Sequence, residues 1–341
     1  MISFKPKQVT KKLLSALPER ARDVLTKRYG LGQDNETYTL ESIGQTYGIT
    51  RERVRQIENY GIAAIRKSAI YTENTAMFEE LRSLIKQLGN GVVAEKVLLD
   101  SLTKDVVIRN HLYFLLIIGD AFSKGKENPL YTSRWFTEKK IAEIVEKALK
   151  NVHGTLNRDD LISEQEILNR FRNELIEIAD KQDDKTLKRW LMISKQIGQN
   201  PLGDWGPADS PNVRVKGIRD YAYLAVKRHG SPMHFKEVSV AISDLFNHNA
   251  HVATTHNELI KDARFVLVGR GLYALTEWGY TAGVVKDVLR EILQAEGPLS
   301  REELIDKVRK ERYVKDNTIV VNLQDANLFK HLSNGSYTLA E

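Results

Sequence analysis

A run of polar and charged residues near the N-terminus has the side chains that proteins use to read DNA. It comprises Arg51, Glu52, Arg55, Gln56 and Asn59. Arginine can donate two hydrogen bonds to guanine, glutamate accepts from the amino group of cytosine, and glutamine pairs with adenine. The i, i+4 spacing of these residues places them on one face of a helix. Charged residues at the start of a helix are equally compatible with an ordinary solvated face, so the run alone leaves both interpretations open.

The surrounding sequence predicts the elements that would hold this face outwards. Thr39 can cap a short helix, Gly48 supplies a tight turn, and Thr50 can cap a second helix. The second helix has a predicted buried stripe at helical spacing, formed by Val54, Ile57, Gly61, Ala64 and Ile65. In a helix-turn-helix, the second helix lies in the major groove with its first residues against base edges. In this setting we interpret the outer face of the second helix as a DNA-reading surface.

The segment from Thr39 to Lys67 resembles region 4 of the housekeeping bacterial sigma factors, which reads the promoter −35 element. Its sequence is TLESIGQTYGITRERVRQIENYGIAAIRK. The preceding LPERARDVLTKRYGLG, from Leu17 to Gly32, resembles the helix before it in that region. We predict that this helix ends at Gly30, that residues 1–10 form a loosely ordered basic lead, and that Tyr71–Thr75 is a linker. The likeness covers about residues 11–68 and implies a DNA-binding domain that can also dock on the flap of the RNA polymerase β subunit.

The resemblance also implies a role for individual residues. Arg51, Glu52 and Gln56 would read bases, and Arg53 and Arg55 would lie nearer to phosphates. The full set of predicted DNA-binding residues is Thr50, Arg51, Glu52, Arg53, Arg55, Gln56 and Asn59. Only ten residues precede the segment that resembles region 4. The sequence therefore departs from the family, because the segments that read and melt the −10 element are missing. We therefore do not expect a complete sigma factor.

The charge of the 341-residue chain is concentrated in the same segment. The net charge is +6, and residues 1–70 hold 13 Lys and Arg against 7 Asp and Glu, so the entire excess lies there. Phosphate contact dominates protein–DNA affinity, which makes this head (residues 1–70) the nucleic-acid end. The chain has no cysteine, which excludes a disulfide framework and a thiolate zinc site. No signal peptide or run of transmembrane length is present, so we expect a cytoplasmic protein with no membrane partner.

Beyond residue 75 the chain contains a weak repeat. Trp135, Trp205 and Trp278 end successive turn-and-strand segments 70 and 73 residues apart, and we predict that they are core residues. An apolar segment predicted as a strand precedes each ending; the four are Tyr113–Ile118, Trp190–Ser194, Phe265–Val268 and Leu328–Leu332. Each unit opens with an amphipathic helix. The predicted order within a unit is a helix, a turn, two helices and a β-hairpin, which is the order of elements in winged-helix domains.

The predicted fold class is mainly α with small β-hairpins, in which the helix-turn-helix head is followed by tandem winged-helix-like units. The predicted units span residues 76–137, 138–210, 216–279 and 281–341. One irregular helical domain in the middle of the chain is the alternative. The third unit resembles the HARE-type helix-turn-helix module, which also occurs in the delta subunit of bacterial RNA polymerase. This likeness depends on IRDYAYLAVKRHGSPMHFKEVSVAI and FVLVGRGLYALTEWG.

The helices before the last two predicted hairpins carry few basic residues. They lie at about Thr254 to Asp262 and Asn317 to Asp325, with one lysine in the first and no base in the second. Phosphate contact needs Lys or Arg. We therefore expect these units to be spacers or to bind another protein.

Two other groups of residues could suggest chemistry. His248 and His251 have no acidic residue at metal-ligand spacing in their loop. The acidic cluster Asp159, Asp160, Glu164 and Glu166 is explained by a helix beginning near Asp159, where carboxylates favour the helix dipole. No phosphate-binding or nucleophile motif is present. We expect no catalytic residue, no metal and no cofactor, and hence not an enzyme.

The sequence thus predicts a DNA-binding transcription factor whose head reads a −35-like promoter element, docks on RNA polymerase, or does both. The alternative is an RNA polymerase accessory subunit or sigma competitor that binds the β flap without reading DNA sequence. The expected partners are double-stranded DNA, RNA polymerase and a further protein bound by the C-terminal units.

Overall fold

The structure, a computed structural model, describes residues 2–175, 178, 182–280 and 283–340. The chain divides into two compact units. The N-terminal unit comprises Met1–Gln199 and Gly203–Asp209, and the C-terminal unit comprises Asn200–Leu202 and Ser210–Glu341. The protein is 57% helical with small antiparallel sheets, against about 30–35% helix in typical globular domains. The prediction of a mainly α protein with small β-hairpins is confirmed.

Five helices form the first part of the N-terminal unit. They are α1 (Pro6–Ser15), α2 (Glu19–Tyr29), α3 (Leu40–Tyr47), α4 (Arg51–Arg66) and α5 (Ala69–Glu73). Helix α2 ends as predicted at Gly30, which adopts a left-handed conformation with a φ of +61°. The predicted helix pair of the head corresponds to α3 and α4.

Two predictions for the ends of the head are wrong. Residues 1–10, predicted as a loosely ordered lead, contain the first half of α1, which begins at Pro6 and buries Leu13. The segment from Tyr71, predicted as a linker, belongs to α5. Tyr71 is buried, and its hydroxyl donates to the Asp120 carboxylate at 2.9 Å. Both segments are ordered by packing against later parts of the chain, which local sequence does not reveal.

The remainder of the N-terminal unit alternates helices with short strands. Its elements are α6 (Thr75–Gly89), β1 (Val92–Ala94), α7 (Glu95–Leu102), α8 (Val106–Ile118), β2 (Ser123–Gly125), β3 (Arg134–Phe136), α9 (Lys139–Gly154), α10 (Glu164–Glu174), α11 (Asp184–Leu191), β4 (Ile197–Gln199) and β5 (Trp205–Pro207). Strand β3 lies between β1 and β2, antiparallel to both. Strands β4 and β5 pair with each other, and Ile162 forms a further bridge to Trp205.

One hydrophobic core is continuous across residue 70. It joins Leu25 of α2 and Ile65 of α4 to Phe78 of α6 and Phe114 of α8, all almost fully buried. Burying a side chain of this size contributes about 1.5–3 kcal/mol. The Arg66 guanidinium adds a polar link by donating to the carbonyls at the end of α8, at 2.9–3.3 Å. The apolar side of the head is therefore covered by the helices that follow it.

A second core lies under α9, α10 and α11. Its centre is Trp190, whose indole N–H donates to the carbonyls of Gly89 at 2.8 Å and Val92 at 2.9 Å. Trp135 and Trp205 are buried as predicted, whereas Trp278 is only half-buried.

One predicted strand is a helix in the structure, and another begins inside a helix. Tyr113–Ile118 belongs to α8, which begins where Asp105 accepts hydrogen bonds from the next turn. Trp190 belongs to α11, capped by Asp183. Helix α8 is buried on several sides and therefore reads as a continuous apolar run, and such a run does not distinguish a strand from a buried helix.

The C-terminal unit contains the same order of elements twice. The first set is α12 (Ile218–His229), β6 (Met233–His234), α13 (Phe235–Phe246), α14 (Val252–Lys261), β7 (Phe265–Gly269) and β8 (Leu272–Leu275). The second is α15 (Val285–Glu296), β9 (Leu299–Ser300), α16 (Arg301–Glu311), α17 (Asp316–Leu323), β10 (Phe329–His331) and β11 (Ser336–Leu339). In both, the last strand lies at the centre of a three-stranded antiparallel sheet.

The segment from α6 to β3 has this order and this strand arrangement too. The division of the chain at the predicted boundaries nevertheless stays a prediction. Residues 281 and 341, which bound the fourth predicted unit, lie outside the described residues. Within the part of the chain that the structure describes, no helix is both long and apolar enough to cross a membrane.

Candidate nucleic-acid interface

The turn between α3 and α4 has the capping interactions that the sequence predicts. Thr39 Oγ1 accepts a hydrogen bond from the Ser42 amide at 3.1 Å. Gly48 ends α3 with a φ of +62°, a conformation that favours glycine. Thr50 Oγ1 accepts from the Arg53 amide at 3.2 Å and so fixes the first turn of α4. The start of α4 is therefore held at a defined angle to α3.

A small apolar cluster holds α3 and α4 together. Val24, Ile43 and Val54, from α2, α3 and α4 respectively, are fully buried against one another. Gly44 lies close to the turn, because a Cβ atom there would be 2.6 Å from the Ile49 carbonyl oxygen. The fit of α3 against the turn thus leaves no room for a side chain at this position.

Helix α4 also packs tightly on α2. A Cβ atom at Gly61 would lie 3.0 Å from Leu25 Cδ1, so the small residue permits the close approach that the sequence predicts. On the same side, the Tyr29 hydroxyl donates to Glu58 at 2.8 Å. Burial, and then the Glu58 carboxylate, raise the pKa of Tyr29, which keeps its hydroxyl protonated as a donor. These contacts leave only the outer face of α4 free to meet a partner.

All seven predicted DNA-binding residues are exposed on or beside α4. They are Thr50, Arg51, Glu52, Arg53, Arg55, Gln56 and Asn59. Among the described residues, Arg51 and Asn59 have no hydrogen-bond or ion-pair partner. Thr50 is a helix cap, so its hydroxyl is engaged with the backbone. The structure thus brings the predicted residues together at one end of the helix.

Four of these residues form two pairs along α4 that the sequence analysis does not predict. The Arg55 guanidinium donates to both Glu52 oxygens, at 2.9 and 2.7 Å, and Arg53 donates to Gln56 Oε1 at 3.0 Å. The hydrogen bond from Arg55 lowers the pKa of Glu52, which therefore stays ionised near neutral pH. Their i, i+3 spacing is the signal that could have indicated these pairs.

A second cluster, between α2 and α3, was missed by sequence reasoning. The Arg20 guanidinium lies over the Tyr47 ring at 5.4 Å from its centroid, and the Lys27 ammonium lies at 5.0 Å. The Tyr47 hydroxyl bonds to Asp23, which also pairs with Lys27 at 2.7 Å. The i, i+3, i+7 spacing on α2 was visible in the sequence. Because the cluster includes a carboxylate, its charges are partly neutralised.

The predicted positions of the acidic cluster need a correction. Helix α10 begins at Glu164 and is capped by Ser163, several residues after the predicted start near Asp159. Glu164 pairs with Lys188, and Asp160 accepts from the Asn157 amide at 2.8 Å. The hydrogen bond from Lys188 lowers the pKa of Glu164.

The histidine loop forms ring contacts. His248 stacks on Tyr221 with ring centroids 4.7 Å apart. Among the residues that the structure describes, no group of three or more His, Asp or Glu side chains is placed to hold a metal ion.

Comparison with known proteins identifies the segment that contains α4. Residues 13–67 match the family of sigma-70, region 4. RNA polymerase sigma factor SigA of Nostoc sp. (strain PCC 7120 / SAG 25.82 / UTEX 2576) is 46% identical over 71 residues, which are 21% of this chain and 17% of that protein.

Two further relatives give the same picture. RNA polymerase sigma factor SigA1 of Synechococcus elongatus is 47% identical over 70 residues, 20% of this chain and 16% of that protein. SigA of Bacillus sp is 43% identical over 60 residues, 18% of this chain and 16% of that protein. The chain thus spans about a sixth of the length of these curated relatives. No solved structure matches the chain.

Proposed function

We propose that this protein is a DNA-binding transcription factor whose region 4 domain reads a −35-like promoter element. The observation that carries the proposal is the outer face of α4, where base-reading and phosphate-binding side chains are exposed together on a helix fixed by caps and a buried core. The excess positive charge of the chain lies in the same 70 residues. The relatives that match this segment are named RNA polymerase sigma factors.

The two side-chain pairs on α4 suggest how DNA is engaged. One phosphate would replace Glu52 as the partner of Arg55. Another would replace Gln56 as the partner of Arg53. The exchange would release Glu52 and Gln56 for base edges, beside the unpaired Arg51. Exposed ion pairs are worth only about 0–1 kcal/mol, so breaking them opposes binding weakly. Base readout by Arg51, Glu52 and Gln56 and backbone contact by Arg53 and Arg55 are thus compatible with one docked position.

RNA polymerase is the second proposed partner. The alternative function is that of an accessory subunit or sigma competitor that binds the β flap without reading DNA. The names of the relatives favour a polymerase partner. Against docking through the apolar side of the domain, Leu25 and Ile65 are already buried under α6 and α8. A polymerase partner would therefore have to use an exposed surface of the domain, and we propose that DNA reading by α4 is the primary activity.

We propose that the later segments are winged-helix-like units that bind another protein, with residues 216–279 of the HARE type. The recurring order of helix, strand, two helices and two strands supports this, as does the central position of the last strand in each sheet. Helices α14 and α17, which precede two of the hairpins, offer Lys261 as their one basic residue. We further propose that the protein acts by recruitment, without catalysis, in the cytoplasm where it would meet RNA polymerase.

The test is binding of the full chain to fluorescent duplexes, one with a −35-like element and one scrambled, followed by anisotropy at two salt concentrations. We expect a preference for the −35-like duplex that is lost in Arg51→Ala and Gln56→Ala, each costing about 1–3 kcal/mol. Arg53→Ala and Arg55→Ala should weaken both duplexes alike. Glu41→Ala, an exposed change on α3, is the control that should do neither.

The same experiment separates the alternatives. Equal binding of both duplexes, with the same response from all four variants, contradicts base reading. Co-purification of RNA polymerase that survives Arg51→Ala and Gln56→Ala would then favour the accessory-subunit function.

A further inference from the structure

A pocket between α1, α2 and α8 has the features of a ligand site. Its volume is about 330 Å³, within the about 300–1,000 Å³ typical of small-molecule sites. Lys7, Thr10 and Lys11 of α1 line one wall, Arg22 of α2 lines another, and His111 of α8 closes it. We propose that this pocket binds a small organic phosphate, up to about the size of a nucleoside monophosphate.

Two buried polar side chains face the pocket without a partner. His111 is 3% exposed and Thr10 is fully buried. Among the described residues, neither His111 ring nitrogen nor the Thr10 hydroxyl has a hydrogen-bond partner. Buried polar groups are nearly always hydrogen-bonded, because an unsatisfied one has lost its hydrogen bonds to water without replacing them. A ligand with both donors and acceptors would satisfy them.

The charge of the lining favours an anion. Lys7, Lys11 and Arg22 contribute three positive charges, no carboxylate lines the pocket, and none of the three forms an ion pair within the described part of the chain. Burial, and then the nearby Lys7 ammonium, lower the pKa of His111, so its ring is neutral near pH 7 and offers one donor and one acceptor. A phosphate would lie against the cations, which bind it by charge-assisted hydrogen bonds.

Part of the pocket lining suits an organic group. Leu14 and Leu31 provide apolar surface beside the neutral His111 ring. Inorganic phosphate alone would leave this surface and the His111 nitrogens without contacts. The combination of cations and apolar surface in one lining therefore points to a phosphate ester that carries a planar or apolar body.

The walls of the pocket are fixed without a ligand. Arg22 donates to the carbonyls of Leu14 at 3.2 Å and Leu17 at 2.9 Å, which ties α2 to the end of α1. Asn110, next to His111, donates to the carbonyls of Gly30 at 3.1 Å and Asn35 at 3.0 Å, which ties α8 to the loop after α2. A pre-organised pocket loses little conformational entropy on binding.

The site is not a property of region 4 domains in general. Lys7, Thr10, Lys11 and His111 all lie outside the matched residues 13–67. None of the lining residues belongs to α4, so the proposal does not depend on DNA reading.

The test is isothermal titration calorimetry of the full chain with AMP, ribose 5-phosphate, inorganic phosphate and uncharged adenosine. We expect AMP to bind, adenosine to bind much more weakly, and AMP to raise the melting temperature by mass action. The double variant Lys7→Ala/Lys11→Ala should weaken AMP binding by about tenfold or more. Lys5→Ala/Lys12→Ala is the matched control, since it removes two exposed lysines that do not line the pocket.

A second variant tests the buried groups. Thr10→Val keeps the volume of the side chain and removes only the hydroxyl, so it should fold and should weaken AMP binding. In ¹⁵N-histidine spectra, AMP should shift one imidazole signal, and that signal should be absent in His111→Phe. No binding of any of the four compounds overturns the proposal, as does equal binding of AMP and adenosine or an equal loss in the control double variant.

Discussion

Helices α4 and α14 each follow another helix after a turn, yet they present different surfaces. From Arg51 to Asn59, the exposed residues of α4 are arginine, glutamate, glutamine and asparagine, and four of them form the pairs that we propose are exchanged for DNA contacts; Tyr60 is exposed beyond them. Helix α14 exposes Val252 and Ile260, with 41% and 62% of their surface accessible, and has Lys261 as its one basic residue. The arrangement of the helices is therefore not what determines the partner. The chemistry of the exposed face determines the partner instead, and for this reason we propose DNA for α4 and protein for α14.

The largest expected effect comes from removing the support under each helix. Ile43→Ala empties a buried position on α3 beside α4, and Leu259→Ala empties one on the buried face of α14 itself. Each should lower the free energy of unfolding by about 2–5 kcal/mol. At temperatures below unfolding, Ile43→Ala should weaken binding of the −35-like duplex, because it loosens α3 against α4. Leu259→Ala should leave duplex binding unchanged. Urea unfolding and anisotropy measure the two effects, and equal loss of duplex binding would show that both helices meet DNA.

The next effect concerns phosphate contact. Removing both Arg53 and Arg55 should weaken binding to any duplex and reduce the slope of log K against log salt by about 1 for each lost contact. Lys261→Ala, on the exposed face of α14, should leave the slope unchanged. Anisotropy titrations at several salt concentrations give the slopes. A reduced slope for Lys261→Ala would assign DNA contact to the C-terminal unit.

Sequence reasoning succeeded where the structural determinants are local. Thr39, Gly48 and Thr50 act on the residues beside them, and the buried stripe of α4 repeats at helical spacing, so the helix pair and its outer face were predictable. It failed for α8, where burial on several sides removes the alternation that identifies a helix. It also failed at the end of α11, although Leu187, Trp190 and Leu191 recur there at helical spacing on one buried face. It also failed for α1, which is ordered by distant partners.

The candidate sites show the same difference between features set by local sequence and features set by residues distant in the sequence. Five of the seven exposed residues of the proposed DNA surface, namely Arg51, Glu52, Arg55, Gln56 and Asn59, follow from helical spacing, whereas Arg53 came from the family resemblance. The orientation of side chains does not, so the pairing of Arg55 with Glu52 and of Arg53 with Gln56 required coordinates. The pocket beside α1 depends on Thr10 and His111, which are 101 positions apart in the sequence. No local pattern could have joined them.

A smaller difference between α4 and α14 is expected in the stability that each loses when the residue at its N-cap is replaced. Thr50 accepts a hydrogen bond from the first turn of α4, whereas His251 at the start of α14 makes no such side-chain bond. Thr50→Ala should therefore cost about 0.5–2 kcal/mol of stability, and His251→Ala should cost almost nothing. Urea unfolding of both variants provides the comparison. A comparable loss in His251→Ala would mean that the histidine stabilises α14 by another contact.

The smallest effect is the protonation of Glu52. The hydrogen bond from Arg55 lowers its folded-state pKa, so the unfolded chain takes up this proton at a higher pH than the folded chain. The stabilisation from the pair is therefore present above the unfolded pKa of about 4.3 and is lost as pH falls through the lower folded value. A carboxyl-carbon NMR titration should show Glu52 titrating below the ordinary value, and Arg55→Gln should restore it. An unchanged Glu52 titration in Arg55→Gln would show that the shift does not come from the pair.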